Sequence, residues 1–139
     1  MIVLDTNVLS ELMRPAPSEA VLRWVAAQPA VSLFTTTITQ AEILFGLALL
    51  PEGRRRSALQ VAAEQMFAED FAGRVLPFDA AAALAFAPIA AGRRRKGQPT
   101  GAFDAQIAAI AVSRGAAMAT RNVADFLDCG LPIINPWEG

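Results

Sequence analysis

The chain of 139 residues contains no histidine and no tyrosine, and only one cysteine (Cys129) and one lysine (Lys96). Without histidine, a Ser-His-Asp or Cys-His catalytic site is impossible. A single cysteine excludes a disulfide framework and offers zinc only one soft ligand. Because no GxxxxGK[ST] loop leads to Lys96, a phosphate-binding loop of that kind is excluded too. Enzymatic chemistry must therefore depend on carboxylates, which bind hard ions such as Mg²⁺ or Mn²⁺.

Apolar residues make up 54% of the chain, and the mean hydropathy of +0.38 is high for a globular protein. The longest apolar stretch, residues 80–91, is nevertheless interrupted by Pro88 and is shorter than the roughly 20 residues that a membrane-spanning helix needs. Met1 leads directly into a strand-like run without a charged leader region. We therefore expect a cytoplasmic protein without a membrane segment, whose apolar excess lies in buried helices and a subunit interface.

Short β-like runs alternate with longer helical patterns along the chain. The predicted strands cover residues 1–5, 31–36, 74–78, 116–120 and 131–135. The predicted helices cover residues 6–14, 18–28, 38–50, 54–72, 79–95 and 102–114, with one or two further turns in 122–128. Gly115 is expected to end the helix before it. This alternation predicts a single α/β domain with three layers, α/β/α, around a mainly parallel sheet of about five strands.

Two acidic residues lie where either a structural or a functional role is reasonable. Asp5 follows the first strand directly, so it can cap the next helix or serve a ligand site at the carboxyl edge of the sheet. Glu42 is the only charged residue in its predicted helix, and with Thr39 it fits a capping box. Gly46, four residues later, would leave space on the helical face that Glu42 occupies.

Asp104 gives the strongest argument for function from a single residue. Its neighbours at helical spacing, Ile107, Ala108 and Ala111, are apolar, whereas the polar residues of that helix point the opposite way. Burying an unpaired carboxylate is costly, so we favour function over a favourable interaction with the helix dipole. Asp79, by contrast, is expected to cap the helix that follows it.

The acids at positions 5, 42 and 104, together with Asn122 and Asp125, fall at or just beyond strand ends on four different segments. In a parallel sheet these ends share one edge of the molecule. Carboxylates that converge there repel one another unless a divalent cation neutralises them. The residues therefore predict a metal site at this edge of the sheet.

Taken together, the chain resembles the PIN-domain ribonucleases of the VapC and FitB toxin group, which belong to prokaryotic toxin–antitoxin systems. The motifs that carry the resemblance are LDTNVLSEL, TTITQAEILFGLALLPEGRRR, GRRRKGQPTGAFDAQIAAIA, ATRNVADF and LPIINPW, in this order and spacing. Because they extend over essentially the whole chain, the resemblance implies a single PIN domain spanning residues 1–139.

The resemblance implies that Asp5, Glu42 and Asp104 occupy the family's three central acidic positions, which hold Mg²⁺ or Mn²⁺ and carry catalysis. A metal in this position polarises the scissile phosphodiester and lowers the pKa of a bound water, which attacks phosphorus in line. The residues leave the general base open between Glu42 and the metal-activated water.

A fourth acidic position of the family is occupied here by Asn122. One negative charge is therefore missing there or is supplied by Asp125, and we expect Asn122 to be an additional metal ligand. Thr6 and Asn7 match the polar pair that follows the first acid in the family. Thr120 lies in the same segment as Asn122 and is expected to support the site.

The chain contains two clusters of basic residues, and each has two interpretations. The first cluster is Arg54–Arg56, and the second is Arg93, Arg94, Arg95 and Lys96. The second cluster ends a helix, where solvated cations complement the helix dipole. Alternatively, Arg93, Arg94, Arg95 and Lys96 contact the phosphates of RNA, which would make binding dependent on salt.

The resemblance also implies partners: an RNA substrate, a second copy of the chain in a homodimer, and a cognate antitoxin protein. The antitoxin can place an arginine in the acidic site, and DNA is bound only through it. We expect five aromatic residues to lie in the core or at a subunit interface rather than to stack on bases: Trp24, Phe34, Phe45, Phe67 and Phe86.

Three other functions share features with the ribonuclease. A haloacid-dehalogenase-like phosphatase needs D-x-D and a catalytic lysine, but Asn7 stands two residues after Asp5. A response-regulator receiver domain needs an acidic pair near the first strand and a late lysine, and this chain has neither. A non-catalytic PIN-like module that binds RNA, or DNA through an antitoxin, is disfavoured because all three central acids are present; metal-dependent cleavage would discriminate between the two.

Overall fold

The structure is a computed structural model that describes residues 1–138, so Gly139, the last residue of the predicted domain, lies outside the described residues. Residues 1–138 form five β-strands and six α-helices. The strands are β1 (Ile2–Leu4), β2 (Leu33–Thr36), β3 (Val75–Leu76), β4 (Ala117–Ala119) and β5 (Ile133–Ile134). The helices are α1 (Thr6–Leu12), α2 (Glu19–Ala27), α3 (Thr37–Ala48), α4 (Arg54–Gln65), α5 (Ala80–Arg95) and α6 (Ala102–Ser113).

The five strands form one sheet in the order β3-β2-β1-β4-β5, and every neighbouring pair is parallel. β1 lies in the centre, where Ile2 is in register with Leu33 of β2 on one side and with Ala117 of β4 on the other. The residue that follows β1 therefore lies at the middle of the carboxyl edge. This sheet confirms the predicted fold class.

Helices cover both faces of the sheet, and each face has its own apolar core. Val3 of β1 packs in one core with Ile107 and Ile110 of α6. The next residue, Leu4, packs in the other core with Leu9 of α1 and other apolar side chains. This alternation follows from the opposite directions of successive side chains in a strand, and it explains why β1 is apolar throughout.

One predicted helix and one predicted strand differ from the structure over several residues. The helix predicted over residues 54–72 is regular only to Gln65, and a π-helical turn, Met66–Asp70, follows it. Residues 31 and 32, predicted as strand, belong to the 3₁₀ turn Ala30–Ser32 that follows Pro29. The prediction for Gly115 is confirmed, since it follows the C-cap of α6 with a φ of 65°, a left-handed conformation that glycine adopts easily.

Pro88 lies inside α5 without ending it. Proline removes the N–H that would bond the carbonyl of Leu84, but Pro88 is exposed and the Leu84 side chain is 80% exposed, so water can reach this face of the helix. Asp79 caps α5 as predicted, because its Oδ1 accepts a hydrogen bond from the Ala82 N–H at 3.0 Å. None of the helices within residues 1–138 combines the length and apolar character needed to cross a membrane.

Candidate active site

Asp5 lies directly after β1 and begins α1, so it has a structural and a potential functional role at once. Its Oδ1 accepts a hydrogen bond from the Thr6 N–H at 2.8 Å, which caps the helix. Its Oδ2 accepts a hydrogen bond from the hydroxyl of Thr120 at 2.8 Å. The side chain is buried, with 3% exposed. The two interpretations of Asp5 are therefore compatible.

The pKa of Asp5 is raised to about 6, chiefly because burial disfavours the charged carboxylate. The hydrogen bonds from Thr120 and Thr6 oppose this shift. The negative charges of Asp104 and Glu42 add to it. Three acids from three different segments thus influence one another at this edge of the sheet.

Glu42 lies in the second turn of α3, and its carboxylate points to α1 rather than to its own helix. Its Oε1 accepts a hydrogen bond from the Thr6 hydroxyl at 2.9 Å, and that hydroxyl lies 3.0 Å from the hydroxyl of Thr39. The cap of α3 is Thr36, whose hydroxyl accepts a hydrogen bond from the Thr39 N–H. The capping-box interpretation is therefore wrong, because α3 begins three residues earlier than that pattern requires.

Asp104 lies in the first turn of α6 and is half-buried. The neighbours predicted at helical spacing, Ile107, Ala108 and Ala111, are fully buried, so the helix faces the core as expected. Burial raises the pKa of the Asp104 carboxyl, and the charges of Glu42 and then Asp125 raise it further.

A cavity of about 290 Å³ separates Glu42 from the beginning of α6, where Gly101, Ala102, Phe103 and Asp104 line it. No hydrogen bond formed among residues 1–138 ends on either oxygen of Asp104 or on Oε2 of Glu42. These oxygens are therefore free to bind a ligand in the cavity.

Thr120, which follows β4, connects the remaining polar residues to Asp5. Its hydroxyl donates to Asp5 and accepts from the Asn7 side-chain amide at 3.2 Å and from the Asn122 N–H at 3.1 Å. The side chains of Asn122 and Asp125 are exposed, and only Asp125 influences the acids, through its charge. The role of Asn122 as a metal ligand stays a prediction.

The ion pairs within residues 1–138 leave the three central acids without a basic partner, since they join Glu11 to Arg14, Glu19 to Arg23, Asp128 to Lys96 and Asp79 to Arg114. In this part of the chain, no three acidic or cysteine side chains are close enough together to hold a metal ion as they stand. The fit to a metal rests instead on donor chemistry. The negative charge of Glu42 raises the pKa of both Asp5 and Asp104, and carboxylates with free oxygens suit a hard divalent cation.

Of the four basic residues predicted to contact RNA, Arg93 contradicts the prediction. Its side chain is buried, with 6% exposed, and its guanidinium donates to the Thr100 hydroxyl and to the carbonyls of Ala124 and Leu127. It therefore ties the end of α5 to the loop before α6 and to the 3₁₀ turn Val123–Phe126. Arg93 is unavailable to RNA because its donors are occupied inside the protein.

The other members of the cluster lie at the surface. Arg94 and Arg95 are exposed, and Lys96 forms an exposed ion pair with Asp128 at 3.2 Å. Their proposed contact with RNA stays a prediction. Arg93 lies four residues after the buried Ile89, and this helical spacing could have separated it from its neighbours.

Two side chains beside the site were not assigned to it from the sequence. Phe45, expected in the core or at an interface, is 64% exposed and lines a groove of about 480 Å³ with Phe103, Ala41 and Glu42. The guanidinium of Arg121 lies over the ring of Trp137. The other aromatic residues pack against or within the two cores, as predicted: Trp24, Phe34, Phe67 and Phe86.

Comparison with known proteins adds independent findings. Residues 2–127 match the PIN domain family. The chain is 47% identical over 138 residues to VapC ribonuclease Y4jK of Sinorhizobium fredii and 38% identical over 138 residues to Toxin FitB of Neisseria gonorrhoeae, with 99% of each chain covered in both comparisons. A solved structure of FitAB bound to a DNA fragment has a TM-score of 0.92 at 38% identity, covering 99% of this chain and 96% of that one.

Proposed function

Because the chain belongs to the PIN domain family and, within it, to the VapC and FitB group, we propose that it is an endoribonuclease toxin dependent on Mg²⁺ or Mn²⁺. The observation that supports this activity is the set of three mutually repelling carboxylates, Asp5, Glu42 and Asp104, at one edge of the sheet. The relative named a ribonuclease supports RNA as the substrate.

Asp5, Asp104 and Glu42 would hold the cation, because they are the oxygen donors that influence one another and lack a basic partner within residues 1–138. When bound, Mg²⁺ or Mn²⁺ supplies positive charge to the phosphodiester and lowers the pKa of the attacking water. We propose Asn122 as an additional oxygen ligand that replaces the missing fourth acid.

The surrounding polar residues orient these acids. The Thr6 N–H and the Thr120 hydroxyl hold the two oxygens of Asp5, so that its carboxylate has one orientation. The Thr6 hydroxyl holds Oε1 of Glu42 and leaves Oε2 available to orient a water molecule or accept its proton. Asn7 supports this arrangement through Thr120.

We further propose that the protein acts in the cytoplasm and pairs with a cognate antitoxin, through which alone it contacts DNA. The relative named Toxin FitB and the structure of FitAB on DNA support this partner. A homodimer is also proposed, because large apolar side chains are exposed at Val31, Phe45, Leu49 and Leu84.

The test is cleavage of a mixed RNA pool by the purified protein without its antitoxin, with Mg²⁺ or Mn²⁺ and with excess chelator. We expect cleavage that requires the metal and falls by more than about 100-fold in Asp104→Asn, since even residues that merely orient metal ligands contribute 10–100-fold. Asp70→Asn, an exposed acid on the π-helical turn, serves as the matched control and should retain activity.

If folded wild-type protein cleaves no RNA, or only the RNA that Asp104→Asn also cleaves, the ribonuclease proposal is wrong. The non-catalytic PIN-like module would then be the better description. Mass spectrometry of the preparation checks that no antitoxin has been purified with the protein.

A further inference from the structure

RNA carries a negative charge on each nucleotide, so an acidic site that cleaves it needs cations nearby. Half of the twelve basic residues have ion-pair or backbone-carbonyl partners within residues 1–138. Four form ion pairs with carboxylates (Arg14, Arg23, Lys96 and Arg114), and two donate to backbone carbonyls (Arg74 and Arg93). Within residues 1–138, the basic side chains outside those ion pairs and carbonyl contacts are Arg54, Arg55, Arg56, Arg94, Arg95 and Arg121.

Arg121 is the one of these six that adjoins the acidic site along the backbone. It follows Thr120, whose hydroxyl donates to Asp5 at 2.8 Å, and its own N–H donates to the Asn7 side chain at 3.3 Å. Since β4 pairs directly with β1, this backbone is fixed beside the end of β1. The position of Arg121 relative to Asp5 is therefore set by the sheet and by two hydrogen bonds.

The side chain of Arg121 is also held, although it is exposed. Its guanidinium carbon lies 5.2 Å from the centre of the Trp137 ring. Trp137 is half-buried against the core that contains Leu4, and its backbone N–H donates to the Asn135 side chain at 3.0 Å. Packing of the half-buried ring against this core limits the directions that the arginine can adopt.

Stacking on an aromatic ring uses the face of a guanidinium and leaves its N–H donors, which lie in the plane, available for other groups. The side chain of Arg121 makes none of the hydrogen bonds found within residues 1–138; only its backbone N–H does. A planar set of free donors matches two oxygens of a phosphate. The exposed guanidinium of Arg121 is therefore better suited to binding an anionic ligand than to forming an ion pair within the protein.

We propose that Arg121, held over Trp137, binds a phosphate of the RNA chain on the β4 side of the acidic site. This proposal rests on the proposed ribonuclease function. On the opposite, β2 side of β1, Arg55 lines a groove of about 580 Å³ that also contains Thr6 and Glu42. An RNA strand crossing the carboxyl edge of the sheet therefore meets a free arginine on each side of Asp5.

The test measures binding of a fluorescent single-stranded RNA of about twelve nucleotides to Asp104→Asn protein with Mg²⁺, at several salt concentrations. We expect an added Arg121→Gln substitution to weaken binding roughly tenfold at low salt and to reduce the slope of log affinity against log salt by about 0.7, the value for one contact with a single strand. Arg121→Lys should keep the slope but bind more weakly, because it loses the planar donor pair.

The matched control is Arg23→Gln, which removes an exposed arginine of α2 and should change neither affinity nor slope beyond experimental error. Trp137→Phe should weaken RNA binding less than Arg121→Gln, because a smaller ring still orients the guanidinium. Thermal unfolding and light scattering of each variant accompany the binding data.

If wild-type protein cleaves RNA and Arg121→Gln matches the Arg23→Gln control in affinity and slope, the proposal for Arg121 is wrong while the ribonuclease function stands. A variant with altered melting temperature or oligomeric state but normal RNA binding contradicts it equally, since Arg121 would then have a structural or interface role. If the Asp104→Asn protein binds RNA through Arg121 but wild type cleaves none, only the ribonuclease function fails. No RNA binding by the Asp104→Asn parent overturns the proposal for Arg121, whereas the ribonuclease function is decided by cleavage with wild-type protein.

Discussion

The acidic site has two unlike halves. In the β1–β4 half, both oxygens of Asp5 accept hydrogen bonds, and Thr120 links this carboxylate to the α1 residue Asn7. In the α3–α6 half, Glu42 accepts a single hydrogen bond, and Asp104 accepts none of those formed within residues 1–138. The first half is buried, whereas the second lines an open cavity.

The two halves therefore differ in how much their side chains contribute to the stability of the fold. Asp5 caps α1 and joins β1 to β4, so its contacts belong to the fold as much as to the chemistry. Asp104 contributes charge and free oxygens without accepting a hydrogen bond from another described segment, and Glu42 keeps Oε2 free while its Oε1 joins α3 to Thr6 of α1. Changes in the first half should therefore alter stability and activity together, whereas changes at Asp104 should alter activity and metal binding alone.

The largest effect is expected from Asp104→Asn, which tests the α3–α6 half. Removing this charge should abolish cleavage without lowering the melting temperature of the metal-free protein, because no hydrogen bond is lost and repulsion with Glu42 is relieved. Mn²⁺ at about 100 times its dissociation constant should stabilise wild type by about 2.7 kcal/mol, and this gain should vanish in the variant. Calorimetry with and without Mn²⁺ measures both quantities.

A strongly reduced melting temperature in metal-free Asp104→Asn would contradict the comparison, since Asp104 would then be part of the fold. Equal stabilisation of both proteins by Mn²⁺ would instead remove Asp104 from the metal site. Asp70→Asn again serves as the control for the loss of one exposed acid.

Thr120→Val tests the β1–β4 half, with Thr120→Ser as the control that keeps the hydroxyl. The buried hydroxyl serves Asp5, Asn7 and the Asn122 N–H, so its loss should cost about 1–3 kcal/mol of unfolding free energy. Because this hydrogen bond lowers the pKa of Asp5, the variant should also need a higher pH to bind Mn²⁺. Urea unfolding and Mn²⁺ titrations against pH measure the two effects; a Val variant as stable as wild type would contradict them.

The strands could be predicted from the sequence because the apolar run of each strand is a local pattern, and their alternation with helices indicates parallel pairing. Five apolar runs separated by helical patterns correspond to five strands, and all pair in parallel. The end of the helix that follows Gly53 could not be predicted, because the π-helical turn Met66–Asp70 includes Met66, Ala68 and Glu69, which favour a helix as much as the residues before them. The 3₁₀ turn before β2 depends on the rigid backbone of Pro29, which residue propensities do not reveal.

For the site, the positions of Asp5, Glu42 and Asp104 relative to strand ends predicted a metal site, which stays a prediction; the structure shows that the charge of Glu42 raises the pKa of both Asp5 and Asp104. Their hydrogen-bond partners could not be predicted, since the Thr6–Glu42 contact joins residues that are far apart along the chain. The role of Arg93 was missed because its basic neighbours indicate a solvated cluster, although its spacing from Ile89 places it on the buried face of α5. Its partners, the carbonyls of Ala124 and Leu127, are tertiary contacts that no local pattern reveals.

The smallest expected effect concerns pH and separates Asp5 from the other acids. Its pKa of about 6 in the folded protein lies above the ordinary value of 3.8, so the folded state binds this proton more tightly than the unfolded chain. The resulting stability is complete at low pH and is lost as pH rises through about 6. Between pH 5 and pH 7, metal-free wild type should therefore lose about 1 kcal/mol more unfolding free energy than Asp5→Asn. Parallel urea unfolding of both proteins measures the difference; identical pH dependence would show that Asp5 titrates normally and that burial does not govern this half of the site.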